Sequence, residues 1–496
     1  MGIQIDRERF EPAEYVEFQR RLEHSLKALE QLLQRPGFGV GAPSLGAEIE
    51  LSLVDAEGSA LPLNRAVLAA SLDDHLQLEL DRFNLEYNLT AVPAAGRPFS
   101  AFEREIGDAI AHLDGVAASH GGRIIPIGIL PSLVPSDLDR HNMSDLPRYR
   151  ALSRALKALR HSDFEIRIDG EEPLATSIDD VTMEGAATSL QVHLRVDPQD
   201  FAAVYNAAQL ATAPALAVSA NSPIFLGHRL WRETRIALFK QAVDPRPDEG
   251  RDWHHPPRVG FGHGFVRQSA HELFAETVAL FPPLIPITTA EDPLASVRSG
   301  AMPALGELRL HMGTVWRWNR PVFDPDAGGH LRIELRALPS GPTPIDSAAN
   351  AAYLVGLTMG LARRVDALLP RLPFEYAERN FYRAAQQGLD SGLVWAQLRD
   401  GPALQELPAA ELARELLPVA RAGLETLGVD SAEIDRMLGV IEARIDAHAS
   451  GARYQLETLA RLERRLPRQE ALLELTRRYL ERSKSGSPVH EWSVDG

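Results

Sequence analysis

From Ala47 to Val54 the chain reads AEIELSLV, and its polar and apolar residues alternate. Neighbouring side chains in a strand point to opposite faces, so Glu48 and Glu50 share one face while Ile49, Leu51 and Leu53 share the other. Two carboxylates at that spacing repel unless a positive group sits between them. The alternation returns three times. In LQLELDRFNLEYNLTAV (residues 76–92), Leu85, Tyr87 and Leu89 oppose Asn84, Glu86 and Asn88. In AATSLQVHLRVD (186–197), Gln191, His193 and Arg195 share a face; in LRIELRAL (331–338), Arg332, Glu334 and Arg336 do. Strands with one polar face build an antiparallel sheet that rests on helices on one side and stays open on the other. The expected fold class is α+β.

Apolar residues at helical spacing (Leu22, Leu26, Leu29, Leu33) predict a helix over 12–35. Further helices are expected over 100–118, after the loop HNMSDLPRYR through Lys157, and over 199–219 and 229–243, the last two bracketing SANSP (Ser219–Pro223). RIIPIGILP (123–131) reads as an apolar strand. Proline and glycine crowd DPRPDEGRDWHHPPRVGFGHG, which predicts an irregular excursion or lid. From Asp346 the pattern is helical almost to the end, where SKSGSPVHEWSVDG reads as a frayed tail. The expected organisation is a catalytic α+β domain over 1–345, a helical region over 346–484 packed on it, and a flexible tail over 485–496. Oligomeric state is not readable from these patterns.

Charge narrows the chemistry. The net charge of −16 argues against a nucleic-acid partner. The four lysines (Lys27, Lys157, Lys240, Lys484) never follow a glycine, so there is no P-loop, and phosphate chemistry must rely on arginines and divalent cations. Cysteine is absent, which removes disulfides, thiolate nucleophiles and Cys-based metal sites. The opening MGIQIDRERFEPAEY carries charges where a signal peptide needs an apolar run, and no run reaches membrane-spanning length. A cytoplasmic protein without a membrane partner is the expectation.

If the four strands share one sheet, their polar faces bring together Glu48, Glu50, Glu86 and Glu334, one imidazole (His193) and several guanidiniums. Oxygen-rich donors with one nitrogen suit Mg²⁺ or Mn²⁺, and such ions would cancel the repulsion between Glu48 and Glu50. Metals on a polar sheet suggest phosphoryl chemistry. Each piece also has an ordinary reading: E-x-E as a solvated strand face, His193 as a structural histidine, E-x-R as a cross-strand ion pair.

The wording of these segments resembles the second family of glutamate–cysteine ligases, ATP-dependent carboxylate–amine ligases related to glutamine synthetase. GAEIELSLVD resembles the family's G-x-E-x-E strand, NLEYNLTAVPAAGRPFSAFEREI its Q-x-E strand and acidic helix, and DLPRYRALSRAL its P-R-Y-R segment. SLQVHLRVD is similar to G-x-H-V-H-V, LAVSANSPIF to A-L-S-A-N-S-P, and RIELRALPS to the terminal x-E-x-R strand. The resemblance spans roughly residues 45–370. It implies a curved antiparallel sheet of glutamine-synthetase type, with ATP and Mg²⁺ (or Mn²⁺) as cofactors and a small-molecule carboxylate and amine as substrates, by default glutamate and cysteine. It implies metal ligands at Glu48, Glu50, Glu86, His193 and Glu334. Arg336 would steady the γ-phosphate, with Arg235 beside it in catalysis, and Arg148 and Asn221 would contact the nucleotide or substrate. The same chemistry on another acid or amine, a binding protein that has lost catalysis, and a metal-dependent hydrolase are the alternatives.

Three departures stand out. Gln191 replaces the first histidine of H-V-H-V, the aspartate after E-x-R is missing from RALPSGPT, and residues 244–314 match the family poorly. His254, His255 and His263 read either as a second metal site or as solvated histidines. GFGHGF lacks the strand–helix setting of a dinucleotide fingerprint, so its glycines suit a close-lying loop or a hinge. Trp316 and Trp318 read as packing, with Arg317 and Arg320 as possible substrate contacts.

Overall fold

The computed structural model describes residue 5 and residues 7–246, 256–396 and 404–494. At its centre lies a sheet of eight strands: β1 (Ser44–Val54), β2 (Leu76–Leu78), β3 (Asn84–Asn88), β4 (Val92–Pro93), β5 (Arg123–Ile125), β6 (Leu190–Val196), β7 (Asn319–Asp324) and β8 (His330–Leu335). Its main order is β7-β8-β6-β1-β3-β2, with β4 and β5 pairing to β1, and every pairing is antiparallel. The α+β class read from strand alternation holds.

Register puts the polar faces together. Glu48 stands opposite Asn88 on one side and Gln191 on the other, and Glu50 opposite Glu86. Glu334 pairs with His193, and Arg332 with Arg195. On the reverse face Leu45, Ala47, Ile49, Leu51 and Leu53 are buried in the core. A one-residue slip would turn either set onto the wrong face, so the hydrophobic pattern fixes the register.

Helices cover that apolar face. α1 (Phe201–Ser219) and α2 (Pro344–Ala362) are buried along almost their whole length and pack on each other. α2 also lies against α3 (Ala409–Thr426), close enough that a Cβ on Gly423 would fall 1.9 Å from the carbonyl oxygen of Gly356. Glycine at that crossing lets the backbones touch. Among the described residues, α1 is the one helix long and apolar enough to cross a membrane; 89% of its apolar stretch is buried inside the protein, as a core helix would be.

Several expectations are corrected. Residues 76–92 are not one strand, because the chain turns between Leu78 and Asn84 around the buried Asp81. The strand at 123–131 ends at Ile125, since Pro126 has no N–H to donate. Residues 256–264 of the expected irregular excursion carry one short strand, Val259–Gly260, parallel to Trp316–Arg317, and regular helices resume only beyond it, at His271–Leu280, Pro293–Arg298 and Gly306–Met312. The helical C-terminal region carries a hairpin, Gly392–Trp395 with Gln405–Pro408. Its end does not fray within the described residues: the Trp492 ring lies 4.9 Å from Tyr454 and 5.2 Å from Tyr479, and the Val489 N–H donates to the Asp346 carboxylate. A large apolar ring that finds a buried partner holds an otherwise polar tail.

Candidate active site

The polar face of the sheet forms the floor of a cavity of about 430 Å³. Two acidic triads stand on it. Glu48, His193 and Glu334 form one; Glu50, Glu79 and Glu86 form the other, and in each triad one ligand atom per residue lies within 4.8 Å of the others.

In the first triad His193 Nε2 lies 2.9 Å from Glu48 Oε1. Glu334 is fully buried and held by two arginines, with Arg320 donating to both carboxylate oxygens (2.5 and 2.9 Å) and Arg336 Nη1 donating at 2.5 Å. Burial alone would raise the Glu334 pKa, but Arg320 and Arg336 outweigh it and hold the carboxyl far below its usual range. Burial likewise opposes ionisation of Glu48, and His193 overcomes it.

The second triad is short of positive charge. Burial and the neighbouring Glu86 push Glu50 up to about 7, although it accepts from the Ser189 N–H (2.6 Å) and from Gln191 Nε2 (2.9 Å). Burial, with Glu50 and Glu184 nearby, raises Glu79 to about 7. Burial, with Glu48 and Glu79 nearby, raises Glu86 well above its ordinary value. Glu184, on the short helix Thr182–Gly185, lines the same cavity and is raised by burial and Glu50 to about 8. Four crowded carboxyls that resist ionising together would be relieved by a bound cation. The first triad offers two carboxylates and an imidazole and the second three carboxylates, donor sets that fit Mg²⁺ or Mn²⁺.

Gln191 bridges the two triads. Its amide N–H donates to Glu50 while its oxygen accepts from Arg336 Nη1, the nitrogen that also binds Glu334. The departure from the histidine at this position therefore keeps a group that donates one way and accepts the other. A protonated imidazole cannot do this.

All five expected ligands and Arg336 lie on the cavity floor, and Arg148 lines its edge, donating to Tyr149 Oη (2.6 Å) and to the Leu78 carbonyl (3.1 Å). Arg320 is a clamp on Glu334, and Trp316 lines the wall. Asn221 and Arg235 do not line the cavity, although the Arg235 charge still favours ionised Glu50. Asn221 is fully buried, donating to the Ser340 carbonyl and Tyr479 Oη (both 2.8 Å) and accepting from Gln455 Nε2 (3.0 Å). Arg235, 2% exposed, donates to Glu233 Oε1 and the Ala337 carbonyl, both at 2.7 Å. SANSP is thus a buried junction between the sheet and the C-terminal helices, which is where its polar groups are spent.

Arg317 pairs with Glu276 at 2.5 Å, with His263 at 3.7 Å from the same carboxylate, so this histidine sits beside an ion pair. His254 and His255 lie outside the described residues. Trp318 is buried against Phe239 and Phe381. In GFGHGF, Gln209 Nε2 donates to the Phe261 carbonyl (2.6 Å) and Phe261 stacks on Phe381, so the loop is anchored in the core through Phe261 while His263 is exposed. Sequence reading missed Glu79 and Glu184.

The family model of glutamate–cysteine ligase family 2 matches residues 44–482. Among solved structures, glutamate–cysteine ligase from Francisella tularensis, in complex with AMP, is similar with a TM-score of 0.53 at 13% identity, covering 92% of this chain and 91% of that one. A bifunctional glutathione synthetase from Pasteurella multocida gives 0.44 at 11% identity over 93% of this chain and 55% of that one. The ligase PafA, in complex with the prokaryotic ubiquitin-like protein Pup, gives 0.39 at 11% identity over 88% and 73%. No curated protein sequence matches significantly.

Proposed function

The chain belongs to glutamate–cysteine ligase family 2 and is an ATP-dependent carbon–nitrogen ligase; on that premise we propose that it joins the γ-carboxylate of glutamate to an amine, by default that of cysteine. The observation that carries the reading is the pair of acidic triads on one sheet face, joined through Gln191 and Arg336.

A carboxylate is a poor electrophile, because it is anionic and has no leaving group. Transfer of the γ-phosphoryl of ATP to a carboxylate oxygen releases ADP and gives an acyl phosphate. The amine nitrogen then attacks the carbonyl carbon, the C–O bond to phosphate breaks, and the amine gives up a proton as the amide forms. Glu48, His193 and Glu334 would hold one divalent cation, and Glu50, Glu79 and Glu86 another. Bound there, the ions would offset negative charge on the phosphoryl oxygens. Arg336 presents its guanidinium to the phosphoryl group, and Arg320 keeps Glu334 ionised and fixed. Arg148 offers a guanidinium at the cavity edge for a substrate carboxylate or phosphate. No covalent enzyme nucleophile is required, in keeping with a chain that has no cysteine. An ATP-consuming, cysteine-free chain fits the cytoplasm. In this reading residues 1–345 carry the chemistry and 346–484 brace it.

One observation favours a second reading with the same chemistry and a different acid or amine. Phe274, Leu310, Met312 and Trp316 make one cavity wall apolar, and all but Trp316 fall within the stretch that matches the family poorly. The test is product analysis by mass spectrometry with ATP, Mg²⁺ or Mn²⁺, glutamate and a panel of acids and amines, on wild type and Glu48→Gln. γ-Glutamylcysteine from wild type alone supports the default, and another amide supports the second reading. ADP release and amide absent across the panel would overturn both.

A further inference from the structure

On the far side of β2 a second cavity, of about 440 Å³, lies against the loop Arg140–Asp145. Four arginines line it: Arg65, Arg82, Arg140 and Arg150, with His141 beside them and Asp145 as the one lining carboxylate. In a chain of net charge −16, a cavity lined by four arginines and one carboxylate is a local excess of positive charge.

The four are not equally neutralised. Arg140 pairs with Asp179 at 3.2 Å, and Arg150 with both Glu8 and Asp145. Arg65 and Arg82 donate only to main-chain carbonyls of the loop, those of Asp145 (2.9 Å) and His141 (3.3 Å), and have no carboxylate partner among the described residues. Each therefore keeps its charge and its remaining N–H donors for an occupant. Leu78 and Met143 complete the wall with apolar surface, and the buried Asn64 amide fixes the floor through the carbonyls of Asp81 and Asn84 and the Ser144 hydroxyl.

We propose that this cavity binds a small multivalent oxyanion with a carbon body, of the phosphomonoester class. Guanidinium forks match phosphate oxygens in pairs, and the apolar wall accommodates the ester's carbon atoms. The site is also wired to the catalytic floor. Ser144 N–H donates to the Leu80 carbonyl (2.7 Å), Ser144 Oγ to the Glu79 carbonyl (2.5 Å), and Arg82 N–H to the Asn142 carbonyl (2.7 Å). An anion that ties the loop to Arg65 and Arg82 steadies the segment carrying Glu79 and tightens metal-dependent nucleotide binding. By linkage the nucleotide tightens the anion equally.

The experiment is isothermal titration of the full chain, free of metal and at constant ionic strength, with glycerol 3-phosphate and with citrate. Wild type and Glu48→Gln are expected to bind alike, and Arg65→Ala/Arg82→Ala to bind about tenfold more weakly or worse. Arg65→Lys/Arg82→Lys keeps the charge and controls for folding, with intermediate affinity. Preference for glycerol 3-phosphate fixes the class, whereas preference for citrate replaces phosphate with a polycarboxylate. Failure of both to bind, or binding that survives the double alanine variant, overturns the site. A second titration measures a non-hydrolysable ATP analogue with Mg²⁺, with and without saturating glycerol 3-phosphate. Tightening of about fivefold is expected, and an unchanged affinity overturns the link to Glu79.

Discussion

Glu50 and Glu86 face each other as a directly opposed pair across β1 and β3, and both resist ionising. A carboxyl whose folded pKa is raised contributes stability that is complete below its ordinary value near 4.5 and is lost as pH rises through the folded pKa. With Glu50 and Glu79 at about 7 and Glu184 at about 8, that loss falls between pH 5 and pH 8. The lowered carboxyls Glu48 and Glu334 act only below that window. The metal-free protein should therefore melt several degrees lower at pH 8 than at pH 5.5, and Mg²⁺ should raise the melting temperature more at pH 8. Thermal melts at both pH values, with and without Mg²⁺, check this, and equal metal shifts at the two would count against it.

Glu79→Gln removes one of four crowded carboxyls. Turnover should fall by about 100-fold or more, with weaker metal affinity. The metal-free protein at pH 8 should nonetheless melt higher than wild type, because repulsion has been relieved. Steady-state kinetics beside thermal melts read both, and lower stability at pH 8 would show Glu79 to be a structural acid.

Arg320→Ala leaves the buried Glu334 carboxylate to Arg336 alone. Breaking a buried pair of this kind costs about 3 kcal/mol. Urea unfolding measures it, and Arg320→Lys should recover only part, because an ammonium cannot span both oxygens. A loss near zero would mean that Glu334 protonates or rearranges freely.

Asn221→Ala should cost about 1–3 kcal/mol of stability by stranding the Ser340 carbonyl and leaving the Tyr479 hydroxyl with the Pro126 carbonyl as its remaining partner, while the folded protein keeps its affinity for the ATP analogue within about twofold. Titration at a temperature where the variant is folded separates the two effects. A large affinity loss there would return Asn221 to the nucleotide.

The site was legible where alternation was unbroken. Glu48, His193 and Glu334 fall on clean period-two runs, so their shared face follows from parity alone. Glu79 was hidden because the turn at Asp81 resets that parity: counted straight through, an odd residue belongs opposite Glu86, yet Gln77 pairs with Glu86 and carries Glu79 onto its face. Glu184 lies on a four-residue helix, too short for a periodic signal. Asn221 and Arg235 could not be placed from sequence for another reason: a polar residue sealed in a structural junction and one aimed at a ligand look alike there, and only burial and partners tell them apart.

β1 pairs with strands that follow it and also with β6, which then takes β8 as its outer neighbour. During synthesis the chain emerges in order, so β1 and β3 can meet early while β6 waits for a partner that arrives after residue 330. Until then β6 presents an open row of unpaired amides and carbonyls next to a half-built acidic floor. Closure is a late, long-range event, of the kind that slows folding. A nascent chain stalled before β8 holds the second acidic triad complete and the first without Glu334, and it is the species a chaperone would meet.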